Sequence, residues 1–256
     1  MIRISQPDDH SVPDSGEITA SVAVVVPTYN EAANLPELAR RLFGLKLPGL
    51  QLVVVDDSSP DGTADLGRRL SEMYEGRVHV IQRPGKQGLG TAYLAGFDQA
   101  LQDGAEYIVQ MDADLSHAPE DVPRLLHMLE RYDVALGSRY VNGGRVDKDW
   151  STWRRLISCI ANFGIRSVTG LKVKDATSGF KACRASVIQS LTRSGLRCEG
   201  FGFQAEFMHA CQLMGYAIVE HPILFTNRTR GRSKMSINII LEALRQLVFL
   251  RLRRTS

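Results

Sequence analysis

The stretch VAVVVPTYNEAANLPELARRLFGLKLPGLQLVVVDDSS, residues 22–59, decides the fold. Two short β-branched runs, VAVVVPTYN (22–30) and LQLVVVDDSS (50–59), end in polar loops and enclose a helix-like segment, EAANLPELARRLFGL. Such a β-α-β unit calls for parallel strands buried on both faces.

The alternation continues outward from this unit. GTADLGRRLSEMYEG predicts a helix, RVHVIQRP a strand, GLGTAYLAGFDQALQDG a helix, AEYIVQMDAD a strand, EDVPRLLHMLERY a helix and DVALGSRY a strand. The fold class is therefore α/β, with a mostly parallel, Rossmann-like sheet flanked by helices. From about residue 141 the alternation stops. WSTWRRLISCIANFGIRSVTG (150–170) reads as an amphipathic helix with Trp150, Trp153, Leu156, Ile157, Ile160 and Phe163 on its apolar side. DATSGFKAC and GFGFQAEFMHACQLMG follow, then a strand-like AIVEHPILFTN, a basic loop RTRGRSKMS (228–236) and a short amphipathic, arginine-bearing tail helix. The expected organisation is a flexible polar tail over 1–20, one domain over 21–236 and a basic amphipathic helix over 237–256.

Composition sets limits on function. A chain of 256 residues, 44% hydrophobic and 23% charged, is ordinary globular material, and a net charge of +3 does not call for nucleic acid. The four cysteines are scattered and share no metal-like spacing with the six histidines, as expected of thiols in a reducing compartment. The first twenty residues lack the apolar core of a secretion signal, and no run of eighteen apolar residues appears anywhere. A cytoplasmic chain that does not span a membrane is expected.

Ligands on parallel sheets gather at the carboxyl ends of the strands. Five polar segments fall there: PTYNE (27–31), DDSSPDGT (56–63), RPGKQGLGTA (83–92), DAD (112–114) and GSRY (137–140). In an extended chain Asp112 and Asp114 share a face, and two like charges so placed raise each other's pKa unless a cation lies between them. The pair suits a hard divalent cation that bridges a diphosphate. SHAPED, just after, reads as a helix start with Ser116 or His117 as cap, which accounts for Glu120 and Asp121 and leaves Asp112 and Asp114 unexplained. Asp61 fits a turn, whereas Asp57 fits a ribose or base edge. GKQGLG matches neither a P-loop nor a dinucleotide fingerprint. Arg139 suits a phosphate clamp or an ion pair. Arg154, Ser158 and Asn162 recur every four residues and line one helix face, toward either a ligand or solvent. Arg228, Arg230, Arg232 and Lys234 suit a diphosphate or serve solubility.

VVVPTYNEAANLPEL, VVVDDSSPDGTAD, GLGTAYLAGF, MDADLSHAPEDVPRLL, GSRY, Trp150-x3-Arg154-x3-Ser158-x3-Asn162, DATSGFKACR and RTRGRSKMS together resemble, in order and spacing, the dolichol-phosphate (polyprenol-phosphate) mannose synthases. These are inverting glycosyltransferases of the GT-A fold. The resemblance implies transfer of mannose from GDP-mannose to a polyprenyl phosphate, with Mg2+ or Mn2+ as cofactor. It implies that Pro27, Tyr29, Glu31, Val55 and Asp57 contact the donor nucleoside, and that Asp112, Ala113 and Asp114 form the metal and diphosphate segment. Ser116 stands where some relatives place a metal-holding glutamine, so the third ligand is open. Arg139 matches a phosphate-contacting arginine, Arg154 and Ser158 match groups for the acceptor phosphate, and Arg228 and Lys234 match a basic loop that closes on the donor. Transfer of glucose from UDP-glucose would use the same loops. A nucleotide-sugar binding protein without turnover would lack the acids or the basic loop. A lipid acceptor implies peripheral contact with the cytoplasmic face of a membrane, through the helix at 150–168, the terminal helix, or a small membrane-anchoring protein that covers their apolar faces.

Overall fold

The computed structural model describes residues 4–5, 18–196, 200 and 202–227. Arg228, Lys234 and the tail helix lie outside the described residues. The strands are β1 (Ile4–Ser5), β2 (Val22–Thr28), β3 (Leu50–Asp56), β4 (Val78–Gln82), β5 (Tyr107–Gln110), β6 (Val134–Ser138), β7 (Arg145–Val146), β8 (Lys181–Arg184), β9 (Ile218–Pro222) and β10 (Leu224–Phe225). The helices are α1 (Leu35–Gly44), α2 (Thr63–Met73), α3 (Leu89–Gln102), α4 (Val122–Met128), α5 (Thr152–Thr169), α6 (Ala185–Ser194) and α7 (Gly202–Leu213), with a 3-10 turn at Pro119–Asp121. Eight strands form one sheet in the order β1-β9-β6-β8-β5-β2-β3-β4, and β7 and β10 form a small parallel ribbon.

The β-branched runs explain the layering. Along β2, Val22, Val24 and Val26 join the apolar cluster that holds Leu35, Leu38 and Leu42 of α1, while Ala23 and Val25 join the one that holds Tyr93 and Phe97 of α3. β3 divides the same way, with Leu52 and Val54 on one face and Val53 and Val55 on the other. Period-two alternation between two apolar faces is the signature of a sheet covered on both sides. α3 reaches β2 only because Gly96 is bare: a Cβ there would lie 2.3 Å from Cγ1 of Val25.

The second half departs from the sequence expectation. The alternation does not end at 141, because β8, α6, α7 and β9 all belong to the main layers. β8 runs antiparallel to both neighbours, β5 and β6, and its four residues are too short to stand out as a periodic run. The expected polar tail contributes β1, which pairs in parallel with β9 at the sheet edge. β5 stops at Gln110, so Asp112 and Asp114 sit in a loop and their proximity does not come from strand alternation. Neither Ser116 nor His117 caps a helix; Ala118 precedes the 3-10 turn and Asp121 precedes α4, neither with a side-chain cap bond. Pro119 and Pro123 instead preset the first turns of these elements.

Gly96→Val would force α3 off β2, so its midpoint in a urea melt should fall, with a loss of about 1–3 kcal/mol or more relative to wild type. A variant as stable as wild type would show that α3 has room to move.

Candidate active site at the carboxyl edge of the sheet

The loops after β2, β3 and β4 are tied to one another before any ligand arrives. Asn30 N–H donates to Ser59 Oγ (2.9 Å), Glu31 N–H to Thr63 Oγ1 (3.0 Å), and Ala32 N–H to Asp61 Oδ2 (3.0 Å). Asp61 Oδ1 also accepts from Thr63 N–H at 3.1 Å, the Asx-type turn its sequence suggested. The tandem acids have separate tasks. Asp56 is fully buried and accepts from Thr28 Oγ1 (3.0 Å) and Ser59 N–H (2.9 Å), so it organises the loop. Asp57 is ion-paired with the buried guanidinium of Arg83. Arg83 in turn donates to Thr91 Oγ1 (2.7 Å) and the Gly88 carbonyl (3.1 Å), at the start of α3. Tyr29 lies beneath Lys86, whose Nζ is 3.6 Å from the ring centroid, so the glycine-bearing loop after β4 belongs to the same wall. Pro27, Tyr29, Glu31 and Asp57 are partly accessible on this wall. Val55 is not: it shows no exposed surface and packs towards Gly96, so it supports the wall from behind.

Asp112 is the more open of the acidic pair, with 37% of its side chain exposed, and Asp114 is buried. Asp112 Oδ2 lies 3.9 Å from His117 Nδ1. His117 is buried, stacks on Phe180 (5.1 Å between centroids) and accepts from the Asp112 backbone N–H at Nδ1 (3.3 Å). Burial holds its pKa below the ordinary value against the pull of the two acids. The neutral ring therefore fixes the loop that carries Asp112. Ser116 N–H donates to Asp114 Oδ1 (3.0 Å), while the buried Ser116 Oγ has no hydrogen-bond partner among the described residues. Among those residues no group of three or more histidine, cysteine or acidic side chains could hold a metal. Two carboxylates and one unpartnered hydroxyl form a hard, incomplete oxygen set, which fits a divalent cation whose other positions are filled by waters and phosphate oxygens. Ala113 is buried between the acids.

Arg139 does not present a free fork. Its Nε and Nη2 donate to Asp175 Oδ2 and Oδ1 (2.8 and 2.7 Å), and Nη2 also reaches Thr177 Oγ1 (2.7 Å). Burial would lower the pKa of Arg139 and raise that of Asp175; each partner's charge outweighs that effect, so Arg139 is raised and Asp175 lowered. Asp175 and Arg83 are functional residues that sequence reasoning misses. Nothing in one sequence marks which acid a given arginine will meet.

The polar stripe of α5 faces inward. Arg154 Nη1 donates to Asn227 Oδ1 (3.3 Å), Ser158 Oγ shares a proton with Tyr140 Oη (2.8 Å), and Asn162 holds the Lys174 carbonyl (2.5 Å) and Ala176 N–H (2.9 Å) on either side of Asp175. Arg154 lies 4.0 Å over Trp150, Trp150 meets Phe225 edge-on at 5.7 Å, and Arg139 lies 5.3 Å from the same Phe225 ring. Arg139 and Arg154 thus meet the same aromatic pair, and Ser158 is joined to Arg139 through Tyr140, whose ring lies 5.2 Å from the Arg139 guanidinium. The basic loop begins beside them in sequence: Thr226 N–H donates to the Ser116 carbonyl (3.1 Å), and its Oγ1 to the Leu115 carbonyl (3.1 Å).

Residues 23–192 match the family described as glycosyl transferase family 2. Over 228 residues the chain is 44% identical to a polyprenol monophosphomannose synthase of Mycolicibacterium smegmatis, covering 88% of this chain and 85% of that one. The chain belongs to glycosyl transferase family 2, among its polyprenol-phosphate mannose synthases. A dolichol-phosphate mannosyltransferase of Saccharomyces cerevisiae is 36% identical over 233 residues, covering 88% of this glycosyltransferase and 85% of the yeast protein. Glucosyl-3-phosphoglycerate synthase from Mycobacterium tuberculosis, solved with Mn2+ and UDP, superposes with a TM-score of 0.68 at 17% identity, covering 99% of this chain and 88% of that one. That likeness places the glycosyltransferase in the GT-A fold expected from its sequence.

The Arg139–Asp175 pair sets a pH signature. Because the folded-state pKa of Asp175 is depressed, its contribution is present above the ordinary carboxylate range and is lost as pH falls through the folded value. Asp175→Asn should be less stable than wild type by about 3 kcal/mol at neutral pH. The gap should narrow once pH drops below about 4 in parallel denaturant melts. A gap that stays constant into acid would exclude this pair as its source.

Proposed function

We propose that this glycosyltransferase moves mannose from GDP-mannose to a polyprenyl phosphate, inverting the anomeric centre. The observation that carries this reading is the similarity, across 88% of the chain, to the Mycolicibacterium and yeast proteins named above. A phosphate oxygen of the acceptor forms the new bond to the anomeric carbon as the bond to the GDP diphosphate breaks, so an α-linked donor gives a β-linked lipid phosphosugar and GDP. A phosphate monoester with a second pKa of about 6 is already largely ionised at neutral pH, so no general base is needed. What remains is alignment and the stabilisation of charge.

The chain's residues divide these tasks. Pro27, Tyr29, Glu31 and Asp57 hold the nucleoside, with Arg83 and Lys86 fixing Asp57 and Tyr29. Asp112 and Asp114, with Ser116 as the third candidate, would hold Mg2+ or Mn2+ against the donor diphosphate. Bound there, the cation supplies charge neutralisation to the leaving diphosphate. Arg228 and Lys234 add to it from the basic loop. Arg154 and Ser158 receive the acceptor phosphate. Arg139, whose fork Asp175 occupies, offers its remaining N–H groups and its charge.

A lipid acceptor requires contact with a membrane surface, and no helix of the described residues is long and apolar enough to cross one. The outer face of α5 is suited to that contact. Trp153, Leu156, Ile160 and Phe163 lie on one side of it and are 48–69% exposed, while the polar stripe faces the site. Exposed Lys148 and Arg155 lie at its start and Lys172 and Lys174 just past its end. Apolar residues flanked by cations suit the boundary of an anionic bilayer, at the cytoplasmic face.

Incubation with Mn2+, polyprenyl phosphate and GDP-mannose should yield a glycolipid, abolished by EDTA and reduced at least about 10²-fold by Asp114→Asn in folded protein. Turnover with UDP-glucose alone would replace the donor. A Trp153→Ser, Phe163→Ser double variant should bind anionic vesicles less and show a raised KM for vesicle-borne acceptor, with its KM for a water-soluble short-chain polyprenyl phosphate unchanged. Equal vesicle binding by both proteins would remove α5 from the membrane contact.

A further inference from the structure

Two buried polar side chains have no task in the scheme above. Asn162 lies on α5 and Glu220 on β9, and both are almost wholly enclosed. They meet the same irregular turn, residues 174–176, between α5 and β8. Asn162 donates from Nδ2 to the Lys174 carbonyl (2.5 Å) and accepts from Ala176 N–H at Oδ1 (2.9 Å). Glu220 accepts from Lys174 N–H at Oε2 (2.7 Å) and from Asp175 N–H at Oε1 (3.0 Å). Four backbone groups of a turn outside any strand or helix are thus bonded by two side chains.

The chemistry of each is specific. The N–H groups of Lys174 and Asp175 call for two acceptor oxygens, which a carboxylate offers and a glutamine does not, since its NH2 would face a donor. The carbonyl and N–H on either side of Asp175 call for one donor and one acceptor, which is an amide. A buried glutamate is costly: burial pushes its pKa up, and the bonds from Lys174 and Asp175 act against that. What the carboxylate secures is the backbone of Asp175.

Asp175 in turn aims the Arg139 guanidinium through Nε and Nη2, and it also accepts from the Arg139 backbone N–H (3.0 Å). Asn162 stands one helical turn beyond Ser158 and two beyond Arg154 on α5. From the same helix Ser158 grips Tyr140, the residue after Arg139. Helix α5 therefore holds Arg139 by two routes, through Ser158 and Tyr140 and through Asn162 and the Asp175 turn. Glu220 ties the second route to the sheet.

We propose that Asn162 and Glu220 are positioning residues for the acceptor phosphate: by clamping the 174–176 turn they set the Arg139 guanidinium against Arg154 and Ser158, so that the three groups meet one phosphate in a fixed arrangement. A carboxylate aims a guanidinium only as well as its own backbone is held. Released from the clamp, Asp175 and Arg139 shift together, and the phosphate loses a contact and its alignment with the anomeric carbon. The donor wall, built on the loops after β2, β3 and β4, is untouched. The inference rests on the acceptor assignment made under Proposed function.

Steady-state kinetics with GDP-mannose and a water-soluble short-chain polyprenyl phosphate test it. Asn162→Ala should raise the KM for the acceptor at least about tenfold and leave the KM for GDP-mannose within about twofold of wild type. Glu220→Gln, which keeps the size and one acceptor oxygen, should raise the same constant by a smaller factor. A clamp that served stability alone would lower the active fraction, so kcat would fall with both KM values unchanged, and that result overturns the proposal. So does an equal rise in the two KM values. Loss of the thermal transition in both variants would make the clamp a requirement of folding and also overturns it. Wild type that makes no glycolipid from these substrates overturns the acceptor assignment itself, which distinguishes the two failures.

Discussion

Negative charge crowded at the carboxyl edge of a sheet has to be balanced inside the protein, and that requirement organises the site. Asp57 is balanced by Arg83, and Asp175 by Arg139. Asp112 instead lies beside His117, whose cationic form burial disfavours. Each balanced acid is locked in place, since a buried pair broken on one side leaves an uncompensated charge worth several kcal/mol. The Asp112–Asp114 pair, set in the loop beyond β5, is the one suited to accept a mobile cation. Rigid walls and one electrostatically hungry position are what a charge-stabilising transferase needs.

Helix α5 is the hinge between this edge and the outside. Its polar stripe reaches Asn227, Tyr140 and the Asp175 turn, so it touches the root of the basic loop and the Arg139 pair at once. Four large residues of its apolar stripe, Trp153, Leu156, Ile160 and Phe163, are exposed, while Trp150 is buried. Ala161 and Ile165 still pack inward, but the exposed apolar residues and buried polar ones depart from an ordinary surface helix, where the apolar stripe packs inward and the polar one meets water. The inversion makes sense if the inner side holds a phosphate and the outer side meets lipid.

The parallel half of the fold was legible because each strand there is a run of β-branched residues between helices with clear periodicity, as in 22–59. The acids and their loops were legible for the same reason: topology alone puts strand ends together. The antiparallel strand was not, because KACR is short and carries a lysine at a core position, which reads against a central strand. Partner choice was equally hidden. Arg83 meets Asp57 across 26 residues and Arg139 meets Asp175 across 36, and neither spacing has a local signature. For α5 the two stripes were visible but not which of them faces in, since periodicity gives a helix two sides without naming the inside.

The reversed strand has a consequence for how the protein comes together. Cys183 of β8 pairs with Ile108 on one side and Val134 on the other, so the strand fills a seam between two segments synthesised well before it. Until it arrives, β5 and β6 have no common neighbour and the sheet stays open through its middle. The halves that would hold donor and acceptor are thus not separable modules. A chain emerging from the ribosome closes the middle of its sheet late, and the loop carrying Asp112 gains its backing only when Gly179 closes in behind it.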